Sequence, residues 1–144
     1  MKLKMDRAEL NDFLQEAFPQ VAADFEVEEV SAETLRVRMK ITERNLRPGG
    51  TVSGPAMFSL ADVAIYLAVL ARIGPVALAV TTNANIDFMR KPVAGEDLLA
   101  EARILKLGKS LAVGDVLIQS EGMEAPVARA SLTYAIPPKR EDNR

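Results

Sequence analysis

The sequence predicts an α+β domain in which one curved antiparallel sheet of about six strands wraps around a central helix. Three observations predict it. The most apolar stretch of the chain, Pro55 to about Arg72, reads as a helix that is apolar nearly all round, so protein must cover most of its faces. Two strand candidates precede that helix and four follow it, several alternating apolar and polar residues. No second helix separates the last four, so short turns connect them.

The elements follow in order. From Asp6 to Phe18, Leu10, Phe13, Leu14, Ala17 and Phe18 recur at helical spacing, and Pro19 closes the segment. Phe25 to Val30 is a short strand. Thr34 to Ile41 alternates strictly, with Leu35, Val37, Met39 and Ile41 on one face and Thr34, Arg36, Arg38 and Lys40 on the other. Pro48-Gly49-Gly50 marks a turn. The central helix opens at Ser53-Gly54-Pro55, where proline's missing N–H costs little, and stops before Gly74-Pro75. Strands are expected over Val76 to Arg90, Leu98 to Ile104, Leu111 to Gln119 and Ala128 to Ile136. Pro92 to Gly95, Gly108 and Glu121-Gly122 supply the turns between them. Such a sheet has two edges, and edge-to-edge pairing in a dimer is one way to cover them.

The chain of 144 residues reads as one domain over 1–138, followed by a polar tail at 139–144. Eighteen basic against twenty acidic residues give a net charge of −2, which argues against a nucleic-acid surface. Cysteine and histidine are both absent. That excludes disulfides, a Cys nucleophile, a Ser-His-Asp triad and His-ligated zinc. Acid–base chemistry must therefore come from Asp, Glu, Lys or Tyr. The charged N-terminus lacks an apolar signal region, so a cytoplasmic location is expected. Asp62, Arg72 and Gly74-Pro75 interrupt Pro55 to Val80, which favours a buried helix and strand over a membrane span.

Asp62 is the residue that needs explaining. It is the only acidic residue between Glu43 and Asp87, inside the most apolar segment. A carboxylate there must be partnered, protonated or turned to a solvated cleft. It is either a structural hydrogen-bond acceptor or a functional group. Gly54, at the helix start, offers an unpaired N–H, partial positive charge from the helix dipole and no Cβ to block a ligand carbonyl. An ordinary cap or turn glycine is the other reading. Eight residues of helix span about 12 Å, so Gly54 and Asp62 of one chain cannot easily grip one reacting carbon. A shared site would take Gly54 from one chain and Asp62 from its partner.

The run Gly50-Thr51-Val52-Ser53-Gly54-Pro55-Ala56-Met57-Phe58-Ser59-Leu60-Ala61-Asp62 resembles the signature of hotdog-fold acyl-CoA thioesterases, in particular the phenylacetate-degradation branch. Thr81 to Pro92 is similar to that family's long strand ending in Phe-Leu-Arg-Pro, and Gly108-Lys109-Ser110 to its Gly-Arg/Lys turn. The resemblance covers roughly residues 30 to 136. It implies Asp62 as nucleophile or general base, Gly54 of the opposite subunit as the donor that polarises the thioester carbonyl, and a supporting hydroxyl at Thr81. It also implies a substrate-binding set of Ser53, Asn45, Arg90, Lys91, Gly108, Lys109 and Ser110, with the basic side chains near the CoA phosphates. Two departures stand out. Ser53 replaces the histidine of the usual His-Gly-Gly and Pro55 its second glycine, while Arg47 stands where an Asn is often found, with Asn45 nearby.

The expected function is hydrolysis of an aryl- or medium-chain acyl-CoA by a homodimer or dimer of dimers, with no metal or bound cofactor and no nucleic-acid or membrane partner. A non-catalytic hotdog dimer that binds acyl-CoA or an aromatic ligand is the alternative. A hotdog hydratase is disfavoured, because that chemistry resembles an Asp-His pair. The pocket walls are expected to involve Met57, Phe58, Ala61, Ile65, Tyr66 and Met89.

Overall fold

The computed structural model describes residues 3–138; the polar tail expected at 139–144 lies outside the described residues. The chain forms α1 (Arg7–Ala17), β1 (Phe25–Val30), β2 (Thr34–Met39), α2 (Gly54–Ile73), β3 (Val80–Phe88), β4 (Leu98–Leu107), β5 (Leu111–Ser120) and β6 (Ala128–Ala135). The strands make one antiparallel sheet in the order β1-β2-β4-β5-β6-β3. The expected α+β architecture is therefore the observed one.

Local chemistry sets the helix ends. Asp6 accepts the Glu9 N–H and Glu9 reaches back to the Asp6 N–H, each at 2.9 Å, so Asp6 caps α1 rather than starting it. Ser53 caps α2 in the same way, its Oγ accepting the Ala56 N–H at 3.2 Å. At the far end Gly74, at φ 97°, stops α2 and donates to the Leu70 carbonyl. By length and composition α2 would cross a bilayer, but 67% of its most apolar window is buried inside this fold. It is the core helix: Leu60, Ala61, Ala64, Ile65, Leu67, Val69 and Leu70 are all fully buried.

The inner face of the sheet receives alternate residues, as the sequence pattern requires: Leu35 and Val37, Ala100 and Ala102, Val116 and Ile118, Ala130 and Leu132. Gly114 lies on that face against Ile65, where a Cβ would fall 2.6 Å from Ile65 Cδ1 and 2.7 Å from the Arg103 carbonyl. Only glycine lets the helix approach β5 this closely. β3 begins at Val80 and not at Val76, because 76–79 form a turn in which the Ala79 N–H donates to the Val76 carbonyl at 3.1 Å. The chain needs those residues to reverse direction after α2.

The two sheet edges differ. On β1, the side-chain amide of Asn11 receives the Val27 N–H at 2.9 Å and donates to the Val27 carbonyl at 3.2 Å, and a bulge follows between Val27 and Glu29. This docks α1 on the edge and blocks further pairing there. Among the described residues β3 has no such cover. α2 packs mainly on β4, β5 and β2, so Ala84 and Phe88 stay exposed although they share the inner face.

The polar face of β2 is tied down by Arg38, which donates to Glu28 at 2.6 Å, to Glu121 at 2.7 Å and to Asp97 at 3.1 Å. The hydrogen bond to Arg38 holds the Glu121 carboxyl below its ordinary range. A carboxyl depressed by folding adds stability above its unfolded pKa, and that stability is lost as pH falls through the folded value. Arg38→Met should therefore lower the melting temperature near neutrality. The deficit should shrink as the solution is acidified below about pH 4. Thermal melts of both proteins across that range check it, and a deficit independent of pH would refute the assignment.

Candidate active site

Three elements converge on Asp62. Thr81 on β3 and Tyr134 on β6 are direct cross-strand neighbours, and both point at α2. Thr81 Oγ1 donates to Asp62 Oδ1 at 2.6 Å, and the Tyr134 hydroxyl donates to the same oxygen at 2.7 Å and to the Asp62 carbonyl at 3.1 Å. These are short, charge-assisted bonds. Among the described residues no hydrogen bond is made to Oδ2, and it is not a buried atom left without a partner. One carboxylate oxygen is thus pinned by two donors while the other stays open.

A β-bulge makes this possible. Ala84, Ile86 and Phe88 face inward opposite Leu132, Ala130 and Ala128, and strict alternation would put Thr82 on their face. The register shift between Thr81 and Asn83 inserts one residue and turns Thr81 inward instead.

Tyr134 is 3% exposed. Burial, together with the neighbouring Asp62 carboxylate, pushes its phenol far above the usual tyrosine range, although the Thr81 hydroxyl opposes that. Tyr134 therefore remains a proton donor to Asp62 at any physiological pH. The sequence reading placed it within the strand expected over Ala128 to Ile136 and gave it no role. The available signal was that a buried tyrosine hydroxyl requires a partner, and this chain has only two tyrosines.

Beside Asp62 lies a cavity of about 360 Å³. Of the expected wall residues only Tyr66 lines it. Met57, Ala61 and Ile65 are buried in the core, and Phe58 and Met89 are exposed. The wall comes instead from Leu14 and Phe18 at the end of α1, from Val21 after it, from Val63 on α2, and from Ala77, Ala79, Val80 and Thr81. Tyr66 is packed against Phe18 with ring centroids 5.6 Å apart and against Tyr134 at 5.9 Å. Its hydroxyl donates to the Ala77 carbonyl at 3.1 Å, and burial raises its pKa.

Gly54 stands elsewhere. It is the first residue of α2, about 12 Å along the helix from Asp62, and its N–H makes no hydrogen bond among the described residues. A Cβ on Gly54 would lie 3.3 Å from Phe88 Cζ, so Gly54 sits by the Phe88 end of β3 while Asp62 sits by the Thr81 end. The remaining sequence-selected residues are not gathered into one place. Ser53 Oγ is engaged as the α2 cap, and Asn45 Oδ1 accepts from the Thr42 N–H at 2.7 Å. Arg90 follows β3 and donates to the Pro126 carbonyl at 2.8 Å, with Lys91 exposed beside it. Gly108, Lys109 and Ser110 form the β4–β5 turn at the opposite end, where Leu111, Ala135 and Val80 are in register. Among the described residues no group of three acidic side chains is placed to hold a metal ion.

A family model described as the thioesterase superfamily matches residues 49–127. The crystal structure of a candidate thioesterase from Silicibacter sp. TM1040 is 57% identical, covers 96% of this chain and 96% of its own, and superposes with a TM-score of 0.90. Two more distant structures share the fold. The PaaI protein from the phenylacetic acid degradation operon of E. coli is 24% identical over 91% of this chain and 93% of its own, with a TM-score of 0.76. A hypothetical thioesterase from Streptococcus pneumoniae, solved with coenzyme A, is 21% identical over 92% of this chain and 99% of its own, at 0.74.

Proposed function

The chain belongs to the thioesterase superfamily and is a thioester hydrolase, and on that premise we propose that it cleaves acyl-CoA thioesters in a composite site built by two copies. The observation that carries this reading is the position of Asp62 and Gly54 at opposite ends of β3, whose outer edge has no partner strand among the described residues. Asp62 with Thr81 lies at one end, and Gly54 against Phe88 lies at the other. Thr81 and Phe88 are separated by about 23 Å of strand. Two copies related by a two-fold axis pair their edge strands antiparallel. Pairing β3 with its copy therefore lays the Phe88 end of one chain beside the Thr81 end of the other, and brings the partner's Gly54 toward Asp62. The block on the β1 edge by Asn11 leaves β3 as the edge available for this.

In the proposed step the Gly54 N–H, at a helix N-terminus, stabilises the oxyanion that forms on the thioester carbonyl. Asp62 Oδ2 either takes a proton from the attacking water or attacks the carbonyl itself, to be released by water afterwards. The C–S bond breaks, and CoA leaves as the thiol after taking up a proton. Thr81 and Tyr134 hold Oδ1 throughout, which fixes Oδ2 toward the cavity. Arg90, Lys91 and Lys109 offer exposed cations for the CoA phosphates, and coenzyme A bound to the Streptococcus pneumoniae structure supports that substrate class. Ser53 and Asn45 support the oxyanion helix from below: Ser53 caps it, and Asn45 accepts the Ser53 N–H at 2.8 Å through its carbonyl.

Complementation tests the two-chain site. Gly54→Pro deletes one N–H that has no helical partner, and the extended backbone of Ser53 accommodates a following proline. Gly54→Pro and Asp62→Asn should each lose thiol release from a panel of aryl and medium-chain acyl-CoAs. Mixing the two variants, with subunit exchange, should restore activity, because each mixed dimer holds one intact site. Two inactive variants that stay inactive in verified mixed dimers would refute the composite site.

A further inference from the structure

We propose that Phe88 is a positioning residue for the oxyanion donor. Its ring tip sets the start of α2 against the end of β3, and position 54 is glycine to admit that ring rather than to admit substrate. This rests on reading the Gly54 N–H as the donor to the thioester carbonyl, and deepens that reading by naming what holds the donor in place.

Glycine at position 54 has no local justification. It is the first residue of α2, and its φ lies outside the left-handed region, so any residue could adopt its backbone. Alanine would be the better helix former. What a side chain there would meet is Phe88. The three atoms nearest to a Cβ at this position all belong to that ring, Cζ at 3.3 Å and Cε1 and Cε2 at 3.7 Å each. With Cζ nearest and the two ε carbons equidistant, the ring comes in tip first. A methyl group 3.3 Å from Cζ is tighter than an ordinary carbon–carbon contact, so the ring or the helix start would have to shift by a few tenths of an ångström.

Phe88 is not a core residue. Its side chain is 52% exposed, and it belongs neither to the buried cluster nor to the partly buried residues packed against that cluster. Its backbone, by contrast, is firmly held. Phe88 pairs with Ala128 on β6, and the Met89 and Arg90 N–H groups both donate to the Val127 carbonyl, at 2.8 and 3.1 Å. The Arg90 guanidinium adds its bond to the Pro126 carbonyl. The ring therefore stands on a fixed strand end and touches a helix whose main packing is on β4, β5 and β2. It braces the helix start against the open edge of the sheet. In a two-chain site the two-fold axis runs through that edge. The spacing from the Gly54 N–H to β3 then sets the spacing from the donor to the partner's Asp62. Catalytic geometry tolerates displacements of only a few tenths of an ångström, so a shifted brace is read as a lost rate.

A double-mutant cycle on the full chain tests this. Phe88→Leu removes the ring tip, and Gly54→Ala adds a methyl group toward the vacated space while keeping the N–H. Hydrolysis of hexanoyl-CoA and benzoyl-CoA, together with thermal melts, would be followed in the natural chain, both single variants and the double variant. Each single variant should lose about tenfold in kcat, with KM changed by less than about twofold. The double variant should recover to within about threefold of the natural chain, because each change relieves the other. A contact that served packing alone would move the melting temperature and leave kcat of the folded single variants unchanged, and that result overturns the proposal. So does a double variant no faster than Gly54→Ala, since glycine would then serve the substrate. Gly54→Pro separates this outcome from the donor reading. Full activity in Gly54→Pro would refute the N–H as oxyanion donor. Activity lost in Gly54→Pro, with independent losses in the cycle, would overturn only the role of Phe88.

Discussion

Asp62→Asn should give a folded protein whose thioester hydrolysis is reduced by about 10²–10⁴-fold, the usual range for removing a general base. The substitution is unusually clean at this position. Asparagine keeps Oδ1, so the hydrogen bonds from Thr81 and Tyr134 at 2.6 and 2.7 Å can both persist. It replaces Oδ2, the open oxygen, with an amide that can neither attack a carbonyl nor accept a proton. The melting temperature should therefore move little while kcat collapses. Thiol release measured with a thiol reagent, alongside thermal melts, checks both halves. Full activity in a well-folded Asp62→Asn protein would remove Asp62 from the chemistry and leave its hydrogen bonds as structural.

Tyr134→Phe should lower kcat by about 10–100-fold while KM changes little. The variant deletes one donor to Asp62 and keeps the ring that walls the cavity. A hydrogen bond to a charged group is worth about 1.5–3 kcal/mol, and about 1.4 kcal/mol corresponds to tenfold in rate. The loss should fall on kcat because the substrate meets the ring, not the hydroxyl. Thr81→Val removes the other donor to the same oxygen, so the double variant should depart from additivity. Two strictly additive losses would show that the hydroxyls act separately. Stability supplies a second readout. The folded-state pKa of Tyr134 is raised, so its contribution is fully present below the unfolded value near 10 and is lost as pH rises through the folded one. The natural protein should destabilise from about pH 10 upward. Tyr134→Phe should do so less steeply, with Tyr66, also raised by burial, accounting for the remainder.

Much of the fold is legible in the sequence because it depends on local pattern. The strict alternation read over Thr34 to Ile41 marked the buried face of β2, which ends two residues earlier at Met39, and the expected bounds of β1, Phe25 to Val30, are those observed. Ser53-Gly54-Pro55 marked the start of α2, whereas Asp6, expected inside the first helix, is its cap. The resemblance to hotdog thioesterases rested on the runs at 50–62, 81–92 and 108–110, and the superfamily match over 49–127 bears it out. Asp62 stood out by elimination, since a chain without histidine holds few groups able to move a proton, and only one acidic residue lies inside its apolar helix. The pocket walls were misjudged for a physical reason. Met57, Ala61 and Ile65 are apolar residues near Asp62 in sequence, but helical geometry turns them toward the sheet. Leu14, Phe18 and Val21, distant in sequence, are brought over the site by the docking of α1.

The sequence by itself therefore determined the order of the elements, the burial of α2 and the single carboxylate within it. Each of these follows from periodicity, capping and the cost of burying charge, all of which act over a few residues. The tertiary structure decided what that carboxylate can do. Alternation counted from Phe88 would have turned Thr82 inward, and only the bulge in the pairing with β6 selects Thr81. Tyr134 meets Asp62 across 72 residues of chain because β6 and β3 lie side by side. The choice of open edge is likewise tertiary, because Asn11 closes β1 from a helix that sequence alone could not place there. Contacts between distant segments depend on register and docking, which no local pattern encodes.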